Sequence, residues 1–160
     1  MSTPLSVLRA LSLCAAALVP LLVAAPAAAA DTESPAAARP TGDPLGAARK
    51  LIADKKWGAA IGELERVNAV KSADWNNLMG YSQRKAPTPD LAAAARYYEA
   101  ALRIDPNHRA ALEYSGELFL MQNNLAGAEQ RLAALDKACA GKCEELDDLK
   151  AAVARFKTGR

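Results

Sequence analysis

Apolar residues return every three or four positions in seven blocks of this chain, and polar or proline-bearing breaks separate the blocks. Leu45, Ala48, Leu51 and Ile52 share one helical face, which predicts a first helix over 44–53. Asp43 can cap its free N–H groups, and Pro44 suits a first helical position, where no N–H is needed. Beyond the polar break at 54–56, Trp57 opens a second helix to about residue 70, with Ile61, Leu64 and Val67 as its stripe. The turn 71–74 offers Ser72 or Asp74 as the cap of a third helix over about 75–85. Pro87 and Pro89 forbid helix in the turn that follows. A fourth helix over 91–104 buries Ala94, Tyr98, Ala101 and Leu102, and Pro106 ends it. The fifth spans 109–121 and the sixth 125–138, ahead of a C-A-G-K-C turn. In the last block Leu146, Leu149, Val153 and Phe156 lie on one face, spaced three, four and three apart. No convincing strand is present, so the chain is predicted to be all-α.

The second, fourth and sixth helices repeat one another in register. Trp57, Leu91 and Leu125 are 34 residues apart, as are Ala60, Ala94 and Ala128, then Leu64, Tyr98 and Leu132, then Val67, Ala101 and Leu135. Trp75, Leu78 and Gly80 in the third helix are answered by Leu112, Ser115, Gly116 and Phe119 in the fifth. Gly80 and Gly116 are 36 apart because the 86–90 turn is two residues longer. A small residue followed four later by a bulky one, with a proline after the helix, resembles the tetratricopeptide repeat. The resemblance covers 44–157 and implies a short α-solenoid of three helix pairs, over about 44–72, 73–106 and 109–140, with a capping helix over 143–157.

In that family the first helix of each pair lines a groove that accepts a protein or peptide. Carried over by the Gly80 and Gly116 registers, the groove positions are Asn77, Tyr81 and Arg84 in the third helix and Glu113, Glu117 and Leu120 in the fifth. Asn77 can donate to and accept from a peptide backbone, Tyr81 offers a flat contact, and Arg84 can hold a carboxylate by two hydrogen bonds. Simple polar residues on exposed helix faces would look the same. The Lys and Asn cluster with which some relatives clamp acidic peptide ends is not reproduced.

The amino-terminal 30 residues have another purpose. One Arg in 1–9, an uncharged apolar run over 10–25 and Ala28–Ala29–Ala30 before Asp31 predict a signal peptide cut after Ala30. Pro20 and the polar stretch beyond favour cleavage over a retained anchor, so the mature chain is expected to have no membrane insertion. Cys14 follows Leu13 rather than the small residue a lipoprotein site needs, and leaves with the signal. Residues 31–43 lack a period and predict a disordered linker. The expected compartment is the periplasm, or else the outside medium.

Charge and chemistry remove other classes. Losing Arg9 leaves 19 of the 20 Lys and Arg against 18 acids, which gives no basic surplus for nucleic acid. The only His, His108, stands in a turn, and no phosphate loop or nucleophile elbow is present, so neither enzymatic activity nor a cofactor is expected. Glu144, Glu145, Asp147 and Asp148 suit a helix N-terminus as a solvated first turn. Cys139 and Cys143 fit a disulfide tying the last helix to the repeats, with Gly141 breaking the helix between them. The alternatives are a redox-active pair or a metal site, for which Lys142 offers little thiolate stabilisation and no further His or Cys remains in the mature chain.

Overall fold

The computed structural model describes residues 42–159, so the signal peptide over 1–30 and nearly all of the linker over 31–43 lie outside the described residues. The described residues form seven α-helices: α1 (Gly46–Ala53), α2 (Trp57–Val67), α3 (Ala73–Lys85), α4 (Leu91–Ile104), α5 (Arg109–Met121), α6 (Leu125–Ala138) and α7 (Glu144–Thr158). No strand occurs among the described residues. The all-α expectation holds.

Local chemistry sets the ends. The Asp90 carboxylate accepts from the Ala93 N–H at 2.8 Å, and Asn124, 34 residues later, accepts from Gly127 at 2.9 Å. Each satisfies one of the free donors of a helix start. Three boundaries differ from expectation. Helix α2 stops at Val67 rather than near Val70, because Asn68 takes the left-handed conformation at φ 50° and returns its N–H to the Leu64 carbonyl. Helix α3 begins at Ala73, since Ser72 and not Asp74 is its cap. Helix α1 likewise starts two residues past Pro44, with the Asp43 carboxylate accepting from the Leu45 N–H just ahead of it.

Consecutive helices pack as pairs, α1 on α2, α3 on α4 and α5 on α6, and α7 lies against both α5 and α6. The repeated alanines Ala60, Ala94 and Ala128 are fully buried, so the smallness of that column reflects close helix approach. A Cβ on Gly80 would lie 2.8 Å from the ring of buried Tyr98, and one on Gly116 2.7 Å from Leu149. Neither position admits a side chain without movement. Trp75 donates its indole N–H to the Leu64 carbonyl at 2.7 Å, tying α3 to α2 across their turn.

Helices α3, α5 and α7 run side by side in the same direction. Their starts meet where Asp74, Arg109 and Glu145 line one hollow, and their ends meet where Lys85, Met121 and Phe156 line another. Ion pairs and a hydrogen bond lace the starts: Arg49 reaches Asp43 and Asp74, Arg109 pairs with Glu145 at 3.8 Å, and His108 Nε2 lies 3.0 Å from Asp74. His108 Nδ1 accepts from the Ala111 N–H and so caps α5, which places the ring proton on Nε2 facing Asp74. The lone histidine is a structural turn residue.

Candidate functional site

The six residues assigned to a groove are gathered on the shared face of α3 and α5, but not as free polar side chains. Arg84 is 5 % exposed and Glu113 7 %, and Asn77 is buried as well. Tyr81, Glu117 and Leu120 are half-buried. The difference arises because α3, α5 and α7 lie close enough to cover one another's inner faces.

Arg84 is the centre of this group. Its Nη1 bonds the Glu117 carboxylate at 2.7 Å, and its Nε donates to the Tyr98 hydroxyl at 3.3 Å. The guanidinium carbon sits 5.6 Å from the Tyr81 ring centre and 5.4 Å from that of Tyr114. Its Nη2 finds no oxygen or nitrogen partner, and the two aromatic rings offer their π-electrons beside it. Burial works against the charge, but Tyr98 and Glu117 outweigh it and raise the Arg84 pKa above the ordinary arginine value. The two-bond fork expected for a ligand carboxylate is thus spent in part on Glu117.

Around Arg84 the aromatics form a row. Trp57 meets Tyr81 edge-on at 5.9 Å, Tyr81 meets Tyr114 at 4.6 Å, and Tyr114 meets Tyr98 at 6.4 Å. Tyr81 and Tyr114 remain partly exposed, giving the face a flat apolar strip with hydroxyl tips. Burial, with help from Glu113, pushes the Tyr114 phenol up to about 12. Both therefore act as neutral donors and acceptors.

Glu113 has a different environment. Burial, then Glu117 on its own helix and Asp148 and Glu145 on α7, raise its carboxyl to about 8. Arg84 pulls the other way but is already bonded to Glu117. Glu113 is consequently uncharged at neutral pH, and can present an O–H where a free glutamate would present an anion.

Beyond Arg84 the strip opens into a cleft of about 300 Å³ at the C-terminal ends of α3, α5 and α7. Leu120 and Met121 form one wall, Ala152 and Phe156 another, and Lys85 and Arg155 stand at the sides. The sequence pattern places Phe156 on one face of the capping helix with Leu146, Leu149 and Val153; those three are buried, whereas Phe156 is half-buried in this wall. A signal for it was present. Gly80, Gly116 and Ala152 are 36 apart, and so are Arg84, Leu120 and Phe156, all three of which line the cleft. Helix α7 thus continues the column of α3 and α5.

The cysteines lie apart from the strip. Cys139 and Cys143 form a disulfide with Cα atoms 5.7 Å apart. Ala140 and Gly141 turn the chain between them at φ 47° and 81°, so helix α6 has already ended at Ala138. Cys143 stands at the start of α7, and a Glu145 carboxylate oxygen lies within 4.8 Å of both sulfurs. Nothing in the sequence singles out Glu145 from Glu144, Asp147 and Asp148. No protein-family model matches this chain, and no curated protein matches it.

Proposed function

We propose that the chain is a tetratricopeptide-type α-solenoid serving as a non-enzymatic protein- or peptide-binding scaffold of the bacterial cell envelope, exported by a cleaved signal peptide. Helices α3, α5 and α7 are the inner helices of that solenoid and line its groove. The observation that carries the reading is the partly exposed Tyr81–Tyr114 strip leading into the cleft, on helices that run in parallel. Rigid aromatics with polar tips suit a peptide partner, since they supply contact area at small entropic cost. Screening a random peptide library against the purified protein and against its Tyr81→Ala and Tyr114→Ala variants tests it. Binders that survive both substitutions would remove the strip from the function. Export is tested by the amino terminus of protein recovered from cells: a start at Asp31 supports it, and an intact Met1 contradicts it.

A second reading, in which Cys139 and Cys143 handle thiols or metal, gains from the Glu145 oxygen beside the sulfurs. Two thiolates and a carboxylate would give three ligands to zinc once a dithiol reductant had opened the bridge. Titrating reduced protein with zinc, against a Cys139→Ser control, decides it: equal weak binding by both excludes the site.

A further inference from the structure

The cleft at the C-terminal ends of α3, α5 and α7 is an exposed apolar floor flanked by two exposed cations, Lys85, whose ammonium also stands 5.8 Å from the Tyr81 ring centre, and Arg155. Met121 is 50 % exposed, well above what a large apolar side chain shows in the core. With Leu120 and Phe156 it makes a surface that water covers in the free protein. At about 300 Å³ the space suits one bulky side chain rather than a whole helix.

The charges around it are not self-cancelling. Glu117 is the cleft's carboxylate and is bonded to Arg84. Lys85 and Arg155 are exposed and form no ion pair among the described residues. Arg84 and Lys85 stand in the last turn of α3 and Arg155 and Lys157 in that of α7, where they complement the helix ends, but α5 has no basic residue in its last turn. Its carbonyl end lies between the two neighbours' cations. At the other end of the face Asp148 stands near Glu113, while Glu145 is paired with Arg109 and Asp74 with Arg49. The two exposed cations therefore favour an acidic segment at the cleft. The paired Glu117 carboxylate inside the cleft disfavours a compact dianion such as phosphate.

We infer that this cleft receives a bulky apolar side chain of a partner peptide whose neighbouring side chains are Asp or Glu. The inference rests on the peptide-binding reading and adds the identity of the anchor. Acidic side chains within the peptide are the determinant, so no free peptide terminus is required.

Fluorescence anisotropy with short peptides blocked at both ends tests it. One probe has a central Leu-Phe flanked by Asp and Glu, a second has Lys in place of the acids, and a third has Ser in place of Leu-Phe. The purified protein should bind the acidic probe and bind the other two at least about tenfold more weakly, the size expected from two rim charges acting together. A Lys85→Glu, Arg155→Glu variant should reverse the preference between acidic and Lys-flanked probes, and Met121→Asp should weaken both. Circular dichroism checks that these surface variants are folded. Equal binding of acidic and Lys-flanked probes, or indifference to the double reversal, overturns the inference. If library peptides still bind and are lost in Tyr81→Ala, the scaffold reading survives without this anchor; if none binds the parent protein, the scaffold reading itself fails.

Discussion

Glu113 gives the structure a pH dependence that can be worked out in advance. In the unfolded chain its carboxyl titrates near the ordinary glutamate value of 4.5, and in the folded protein near 8. The folded state therefore holds a proton that the unfolded state releases between those values. Because stability falls with pH wherever the folded state binds more protons, the Glu113 contribution is full below about 4.5 and declines up to about 8. At about 1.36 kcal/mol per tenfold change, the gap has a ceiling of roughly 4 to 5 kcal/mol. Local relaxation around the carboxyl lowers this, and the expected loss between pH 5 and pH 8 is about 2 kcal/mol. Among the other shifted groups, Asp43 and Glu63 lie below the usual carboxylate range and Tyr114 near 12, so none titrates in this window. Thermal melts of the parent and of Glu113→Gln from pH 5 to pH 9 are the assay. For a domain of this size a 2 kcal/mol loss lowers the midpoint by about 6 to 12 °C. The parent should show that fall, and the variant should remain nearly flat whatever its absolute stability. Parallel curves for the two proteins would refute the assignment of Glu113 as a neutral buried acid.

Three further variants address the packing and the disulfide. Ala94→Leu adds a large side chain at a fully buried helix crossing and should cost about 1 to 3 kcal/mol in a denaturant melt. Gly80→Ala gains about 1 kcal/mol of helix propensity but drives a Cβ to 2.8 Å from the rigid ring of Tyr98, so melts should show a net loss. Removing the Cys139–Cys143 bridge by Cys139→Ser with Cys143→Ser should cost about 2 kcal/mol, as expected for so short a loop, and reductant should reproduce that loss in the parent alone.

The parts of the fold governed by local chemistry were readable from sequence. The columns of Ala60, Ala94 and Ala128 and of Gly80 and Gly116 marked helix crossings, because only small residues permit them. Helices α4, α5 and α6 have the predicted bounds, since Pro, Asp90 and Asn124 determine them locally. The end of α2 was missed because Val70 continues an apolar pattern while Asn68 adopts a left-handed turn, a choice the pattern does not report. The burial of Asn77, Arg84 and Glu113 was likewise invisible. Polar residues on one helix read as solvated until the neighbouring helices are in place. Arg84 is buried because Tyr98 from α4 and Glu117 and Tyr114 from α5 meet it, beside Tyr81 on its own helix. The wall contributed by Phe156 was hidden by treating α7 as a plain cap, although the 36-residue spacing to Leu120 was there to be read.

Peptide binding to the face shared by α3, α5 and α7 can be mapped by backbone NMR of the protein titrated with the tightest peptide from the library screen. Shift changes should be concentrated at Tyr81, Tyr114, Leu120, Met121 and Phe156, with little change on the outer faces of α2, α4 and α6. Changes confined to those outer faces, or to the Cys139–Cys143 turn, would contradict binding at the shared face.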